Sequence, residues 1–322
     1  MACSENNSNW PVLTGETMGT YYSVTYNPED TRIVSKRLRD QIEVLLGNIN
    51  QTMSTYIEDS ELSLLNKVNM QISVTISDEL FYVINHAQQI SEQTNGSFDI
   101  TIGPFVNLWG FGPDLINRSI PTPDEINFVK KNVGYEKLIL DDDSSSVTKT
   151  VSDMYIDLSG IEKGYAVDQI SQLLQQHNIE NYLIDIGGAL IAKGNNQQDE
   201  LWQIGIEQAN PLSRKLQRIV SLNNLSMATS GDYRNYFTHK GKRYSYTIDA
   251  TSGEPVSHNL ASVTVLHENC ISADALATAM LVKGEAASRQ LAKENDIPIY
   301  MIIRSEDGFI EEYNDQFKQY MN

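Results

Sequence analysis

Ser272-Ala-Asp-Ala-Leu-Ala-Thr278 sets a carboxylate and a hydroxyl four residues apart, in a stretch whose alanines favour helix. At that spacing Asp274 and Thr278 lie on one helical face, and Ser272 is the expected N-cap. A carboxylate and a hydroxyl one turn apart suit a hard cation such as Mg²⁺, which keeps further positions for water and substrate phosphate. A helix N-terminus beside that cation attracts the same phosphate. The two residues also fit a plainer role, with Asp274 complementing the helix dipole and Thr278 packing.

Other polar, glycine-bearing segments make sense if folding gathers them around one ligand. Asp157-Leu-Ser-Gly160-Ile-Glu-Lys163-Gly-Tyr-Ala-Val-Asp168 reads as strand, turn and helix. Its glycines and helix start can cradle phosphate, and Lys163 adds charge. It has neither the P-loop spacing nor the dinucleotide fingerprint. Ser97-Phe98-Asp99 runs through a Gly-Pro turn to Trp109-Gly-Phe-Gly112, offering close backbone approach and flat aromatic surface, or simply turns and core aromatics. Asp185-Ile-Gly-Gly188 is a strand end with a tight turn. Thr229–Tyr236 is a dense polar loop in which Arg234 can pair with phosphate or with Asp232. Among five histidines none forms a metal-binding pair at helical spacing. His86 and His177 read as solvent or packing residues, while His258, in a polar loop, is the acid/base candidate by context.

The elements that must position these residues follow from periodicity. Tyr21–Tyr26 is a strand. Ile33–Thr52 has helical apolar spacing at Val34, Leu38, Ile42, Leu45, Leu46 and Ile49. Ser77 precedes a second helix, and Thr122-Pro-Asp-Glu125 opens a third with a capping box. Leu138–Leu140 and Met154–Leu158 are expected strands around an acidic turn, and Lys163–His177 a helix. Tyr182–Ile186, Trp202–Glu207, Arg218–Leu222, Arg243–Ile248, Ala261–Leu266 and Ile299–Ile303 are further strands. Helices follow near Glu285–Glu294 and Asp315–Tyr320. Strands and helices mix without regular βαβ alternation, which favours α+β.

The chain has 322 residues, 24 Lys+Arg against 42 Asp+Glu, and a net charge of −18. No long basic run is present, so a nucleic-acid groove is not expected. An acidic protein that binds phosphate must neutralise it locally, by metal and backbone N–H groups. No apolar run long enough to span a membrane occurs. Residues 1–10 read as a flexible tether. Cys3 followed by a polar stretch looks like the mature end of a bacterial lipoprotein or an incidental cysteine near a loose terminus. Cys270 is the second cysteine, and the pair suggests neither a disulfide nor a zinc site.

Taken in order, Glu16-Thr-Met-Gly-Thr20, Met53-Ser-Thr-Tyr56 with Ser60-Glu61, Phe98–Gly112, Asp157–Asp168, Asp185–Gly188, Thr229–Tyr236, Ile248-Asp249 and Ala273–Thr278 resemble the ApbE family, the FAD:protein FMN transferases. The resemblance runs from about Gly15 to the C-terminus. It implies a T-fold-like α+β protein, one flavin transferase domain over 11–322, with FAD as substrate and Mg²⁺ at its diphosphate. Such enzymes move FMN from FAD to a threonine hydroxyl of a partner flavoprotein, such as a subunit of a membrane redox pump, and release AMP. Some members hydrolyse FAD to FMN and AMP instead. The family's metal pattern falls on Asp274 and Thr278, with Ala277 and the backbone at Gly160. Its flavin positions fall on Met18, Tyr56, Ser97, Phe98, Asp99, Asp157, Lys163 and Ile248, with Tyr56 stacking on the isoalloxazine. Cys3 and the polar stretch after it add the expectation of a periplasmic protein, lipid-anchored to the inner membrane. One departure is expected to matter. Where the family commonly has histidine before its Ile-Asp pair, this chain has Tyr246. A phenol with a pKa of about 10 is a poorer base near neutral pH than an imidazole of about 6.5. The expectation is slow transfer, or an FAD-binding lipoprotein without turnover, unless Asp249 or His258 supplies the base.

Overall fold

The structure is a computed structural model and describes residues 9–112, 120–209, 215–233, 236–239 and 242–321. Most of the expected tether, with Cys3, and also Arg234 lie outside the described residues. β1 (Val12–Thr17) and β2 (Thr20–Tyr26) form a hairpin about Met18–Gly19, whose φ values of 49° and 70° mark a type I′ turn. α1 (Ser35–Met53) buries Leu38, Ile42, Leu46, Ile49 and Met53 at three- and four-residue steps. α2 (Glu61–Lys67) follows, then β3 (Ser73–Thr75) and α3 (Asp78–Gln93), capped by Ser77 as expected. After α4 (Gly103–Leu108), α5 (Pro123–Lys130) opens on the predicted capping box, in which Thr122 N donates to the Glu125 carboxylate at 2.7 Å.

β4 (Leu138–Asp141) pairs with β5 (Ser146–Lys149), not with Met154–Leu158. Met154, Ile156 and Leu158 are buried alternately, as a strand would be. The backbone partner of Ile156 is instead a side-chain amide. Ile156 N donates to Asn66 Oδ1 at 2.7 Å, and Asn66 Nδ2 donates to Ile156 O at 2.9 Å. The segment's backbone pairing is confined to an isolated parallel bridge between Tyr155 and Ile102, with Asp157 N donating to Ile100 O at 2.8 Å, so a strand-like pattern persists with no extended ladder.

α6 (Glu162–Gln176) precedes β6 (Tyr182–Ile186), β7 (Ala189–Lys193) and the hairpin of β8 (Trp202–Glu207) with β9 (Leu216–Leu222). β10 (Leu225–Gly231) absorbs the start of the predicted polar loop. The single strand expected over Arg243–Ile248 is divided. β11 (Tyr236–His239) pairs with β12 (Lys242–Ser245), and β13 (Ile248–Asp249) pairs with β14 (Glu254–Pro255). β15 (Leu260–His267) leads into α7 (Cys270–Glu294), which breaks at Gly284 (φ 75°) as the two expected helices require. β16 (Ile299–Ser305), β17 (Gly308–Tyr313) and α8 (Asp315–Lys318) complete the chain.

Among the described residues the main sheet is eight-stranded, in the order β1-β2-β6-β7-β10-β15-β16-β17, and its neighbours are antiparallel. Helices cover one face in a large core that includes Ile42, Val167, Ile184, Val263 and Leu276. Burying such a side chain contributes about 1.5–3 kcal/mol. The β8–β9 hairpin and Phe317 of α8 cover part of the other face. A smaller third core, with Phe105, Trp109, Ile126 and Ile248, stands beside the first. The α+β expectation is met.

Candidate active site

A cavity of about 860 Å³ is lined by residues of the first and third cores, and its size is in the range of small-molecule sites. The β1–β2 turn contributes Met18, and the segment after α1 contributes Tyr56. Ser97 and Phe98 come from the loop before α4. Asp157, Gly160 and Lys163 come from the turn into α6, Tyr246 and Ile248 from the chain after β12, and Thr278 from α7. These residues are far apart in sequence, and the fold brings them to one place. Tyr56 is 68% exposed, so its ring is available for stacking at the lining.

Asp99 also lines the cavity, but its carboxylate is committed elsewhere. Oδ1 accepts from Thr101 N at 2.8 Å and Thr101 Oγ1 at 2.7 Å, and Oδ2 accepts from Tyr135 N at 2.9 Å. The side chain holds its own loop.

The α6–α7 contact forms a corner rich in oxygen donors. Asp168 Oδ1 and Oδ2 accept from Cys270 N and Ile271 N, each at 2.9 Å, and so tie α6 to the first turn of α7. Ser272 is not the N-cap. Asn269 takes that role, its side chain accepting from Ser272 N at 3.1 Å, and asparagine caps as well as serine does. Ser272 Oγ instead shares a 2.9 Å hydrogen bond with His86 Nε2. Gly164 permits the close approach, since a Cβ there would lie 2.3 Å from Cys270 O. Its N–H donates to Asp274 Oδ2 at 3.0 Å, and Lys163 Nζ reaches the same oxygen at 3.2 Å. One turn on, Thr278 Oγ1 lies 3.3 Å from Ser230 Oγ. It would stand 3.5 Å from a Cβ at Gly160, so the Gly160 backbone is a near neighbour. One carboxylate, hydroxyls and nearby backbone make a hard-donor set suited to Mg²⁺. Among the described residues no three His, Cys, Asp or Glu side chains gather into a group that could hold a metal ion, so the set has a single carboxylate. Asp274 and Ala277 are buried in α7 and do not line the cavity.

Electrostatics separate the acid/base candidates. Burial, with Asp157, Tyr56 and Glu162 nearby, pushes the Tyr246 phenol up, while a hydrogen bond with Ser159 opposes this only in part. Tyr246 therefore stands in the cavity as a neutral phenol. Burial works against the Lys163 charge, but Asp274 and Glu162 outweigh it and hold the ammonium protonated. The other two base candidates are elsewhere. Neither Asp249 nor His258 lines the cavity. Asp249 Oδ1 accepts from Thr251 N at 2.8 Å and stabilises the turn that joins β13 to β14. The His258 ring packs on the break in α7, where a Cβ at Gly284 would lie 3.0 Å from its Cδ2.

Comparison with known proteins decides the assignment. The ApbE family model matches residues 18–301. The chain belongs to the ApbE family. It is 40% identical over 310 residues to the FAD:protein FMN transferase of Vibrio cholerae, covering 96% of this chain and 92% of that one. The Haemophilus influenzae FAD:protein FMN transferase is also 40% identical, over 313 residues, covering 95% of this chain and 90% of that one. The solved flavin transferase ApbE from Vibrio cholerae superposes with a TM-score of 0.89 at 39% identity, covering 96% of this chain and 98% of that one. An apo Pseudomonas stutzeri flavinyl transferase ApbE gives a TM-score of 0.89 at 33% identity, covering 97% of this chain and 96% of that one.

Within this ApbE-family cavity, three further residues escaped the sequence reading as individuals. Glu162 lines it, and burial, aided by Asp157 and Asp274 and opposed by Lys163, pushes its carboxyl up to about 7. Ser159 is the hydrogen-bond partner of Tyr246. Asn50, at the end of α1, lines the cavity and donates to Thr17 Oγ1 at 3.0 Å. Only the adjacency of Glu162 to Lys163 in a helix's first turn was a sequence signal.

Proposed function

We propose that this ApbE-family chain transfers FMN from FAD to a threonine hydroxyl of a partner flavoprotein and releases AMP. The threonine oxygen bonds to the FMN phosphorus while the bond from that phosphorus to the AMP-side oxygen breaks. AMP leaves with that oxygen, and the threonine proton passes to a base. The carrying observation is the corner where Lys163, Thr278 and Gly160 line a cavity large enough for a small-molecule substrate, with the buried Asp274 carboxylate behind them, 3.2 Å from Lys163 Nζ. Asp274, Thr278 and the backbone at Gly160 and Ala277 would hold Mg²⁺, which would supply Lewis-acid neutralisation of the phosphoryl oxygens. Lys163, kept protonated, adds fixed positive charge where the AMP phosphate departs. Tyr56 offers the ring face for the isoalloxazine, while Met18, Phe98 and Ile248 supply apolar contact. Tyr246, as a neutral phenol, orients by hydrogen bonding and accepts a proton poorly, so transfer is slow.

The test is incubation of the full chain with FAD, Mg²⁺ and a candidate acceptor domain, followed by acceptor mass and free AMP. An FMN-sized mass gain with AMP release supports transfer. AMP with unlabelled acceptor indicates hydrolysis by water, and FAD recovered intact sinks both. Anchoring of the protein in the periplasm by a lipid on Cys3 belongs to the same proposal. It rests on the cysteine and the polar stretch behind it, and intact mass of the native protein tests it. No described helix is long and apolar enough to cross a membrane.

A further inference from the structure

The β11–β12 hairpin forms a sheet of its own and runs directly into Tyr246, Thr247 and Ile248, which wall the cavity. Within it Phe237 and Tyr244 stack at 5.1 Å. Phe111 meets Phe237 at 5.6 Å and Tyr246 edge-on at 5.2 Å, so hairpin and wall share one aromatic packing unit. Asp232, the residue after β10, is 3% exposed. Its two carboxylate oxygens are held by arginines from different elements, Oδ2 by Arg243 of β12 and Oδ1 by Arg304 of β16. Arg243 Nη2 also donates to Asp232 O at 2.9 Å, and its guanidinium lies 4.9 Å from the Tyr236 ring centroid. Asp232 N donates to Ala261 O at 3.1 Å, which fixes the carboxylate to the main sheet.

We infer that Asp232 and Arg243 form a clasp that positions the hairpin, and with it Tyr246, against bound flavin, and that opening the clasp diverts FMN from protein transfer to hydrolysis. The inference rests on the FMN-transfer reading above. Beside the aromatic packing, the doubly contacted Asp232–Arg243 ion pair ties the hairpin to the end of β10, and such pairs serve geometry better than net stability. A displaced wall admits water. The water oxygen then bonds to the FMN phosphorus as the bond to the AMP-side oxygen breaks, giving free FMN and AMP and returning its proton to solvent. Arg243 and Asp232 touch no reacting atom, so they are positioning residues.

The two arginines provide an internal control. Arg243→Ala leaves Asp232 paired with Arg304, and Arg304→Ala leaves it paired with Arg243. Each removes one guanidinium from the same carboxylate, but only the first releases the hairpin. The experiment uses the full chain as wild type, Arg243→Ala, Arg304→Ala and Arg243→Lys. FAD affinity is read by flavin fluorescence without turnover, followed by free against protein-linked FMN with Mg²⁺ and an acceptor domain, and by melting temperature. Arg243→Ala is expected to raise the free-to-linked ratio about tenfold and to weaken FAD binding, and Arg304→Ala to stay within about twofold of wild type. Arg243→Lys keeps the charge, loses the two-point contact and falls between them. Equal ratios in the two alanine variants, or no change in Arg243→Ala, overturn the clasp while leaving the transfer reading intact. Wild type that binds no FAD overturns both.

Discussion

Replacing Tyr246 by histidine tests the chemistry most directly. The phenol sits in the cavity, edge-on to Phe111, and burial with Asp157, Tyr56 and Glu162 nearby raises its pKa above the ordinary 10. Even at an unshifted value of about 10, only roughly 1 in 300 phenols is ionised at pH 7.5, and the upward shift makes the fraction smaller. An imidazole of pKa about 6.5 is roughly nine-tenths free base at that pH. General-base assistance contributes about 10²- to 10⁴-fold, or about 2.7–5.4 kcal/mol of barrier. Tyr246→His should therefore raise kcat for FMN transfer at least about 100-fold, with FAD affinity changed less than about threefold. A new acid limb near pH 6–7 should appear in the kcat profile. The assay is the rate of acceptor flavinylation, by in-gel flavin fluorescence or mass, between pH 5.5 and 9. An unchanged rate in a variant that binds FAD normally would refute the argument that proton removal limits this chain. Asp249→Asn and His258→Gln should leave the rate unchanged, because neither residue lines the cavity.

Other outcomes follow from the same geometry. Asp274→Ala should reduce Mg²⁺-dependent turnover at least about 100-fold with the circular-dichroism spectrum preserved, and unchanged turnover would remove Asp274 from the metal set. Gly164→Ala should cost about 1–3 kcal/mol, read as a lower urea midpoint, because its Cβ would fall 2.3 Å from Cys270 O and 2.8 Å from Asp274 Cβ. Tyr56→Ala should weaken FAD binding about 2- to 12-fold, the equivalent of 0.5–1.5 kcal/mol of ring stacking, measured by fluorescence titration. Burial lowers the folded pKa of both His86 and His267, the first also under the influence of His267. Below the unfolded value of about 6.5 the unfolded chain takes up protons that these imidazoles resist. Their contribution is thus an added loss of stability as pH falls through 6.5 toward the lowered folded values. Asp168 has the opposite sign, since burial raises its folded pKa to about 6 and protonation there favours the fold. His86→Gln should therefore lose less stability than wild type between pH 7.5 and 5.5 in urea titrations.

Much of this protein was legible without coordinates. Local rules placed α1, α3 and α5, because three- and four-residue apolar spacing and capping side chains act within a few residues of themselves. The order of polar segments pointed to the ApbE family, and the Asp274–Thr278 spacing to a cation. What escaped depends on long-range partners. Met154–Leu158 carries a strand's alternation, yet it makes only an isolated bridge to Ile102, and the amide of Asn66 satisfies the backbone of Ile156. Asn269 caps α7 three residues before the expected serine, and Asp168, more than a hundred residues away, holds that helix's first N–H groups. Asp99 belongs to the right loop, but its carboxylate is taken up by Thr101 and Tyr135. Composition and periodicity determine which elements form, because those energies are local. Only the tertiary structure decided that Asp249 and His258 lie off the cavity, that Glu162 and Ser159 surround Tyr246, and that one buried aspartate fastens the cavity wall. Those outcomes depend on desolvation and on contacts between residues distant in sequence, which no single segment encodes.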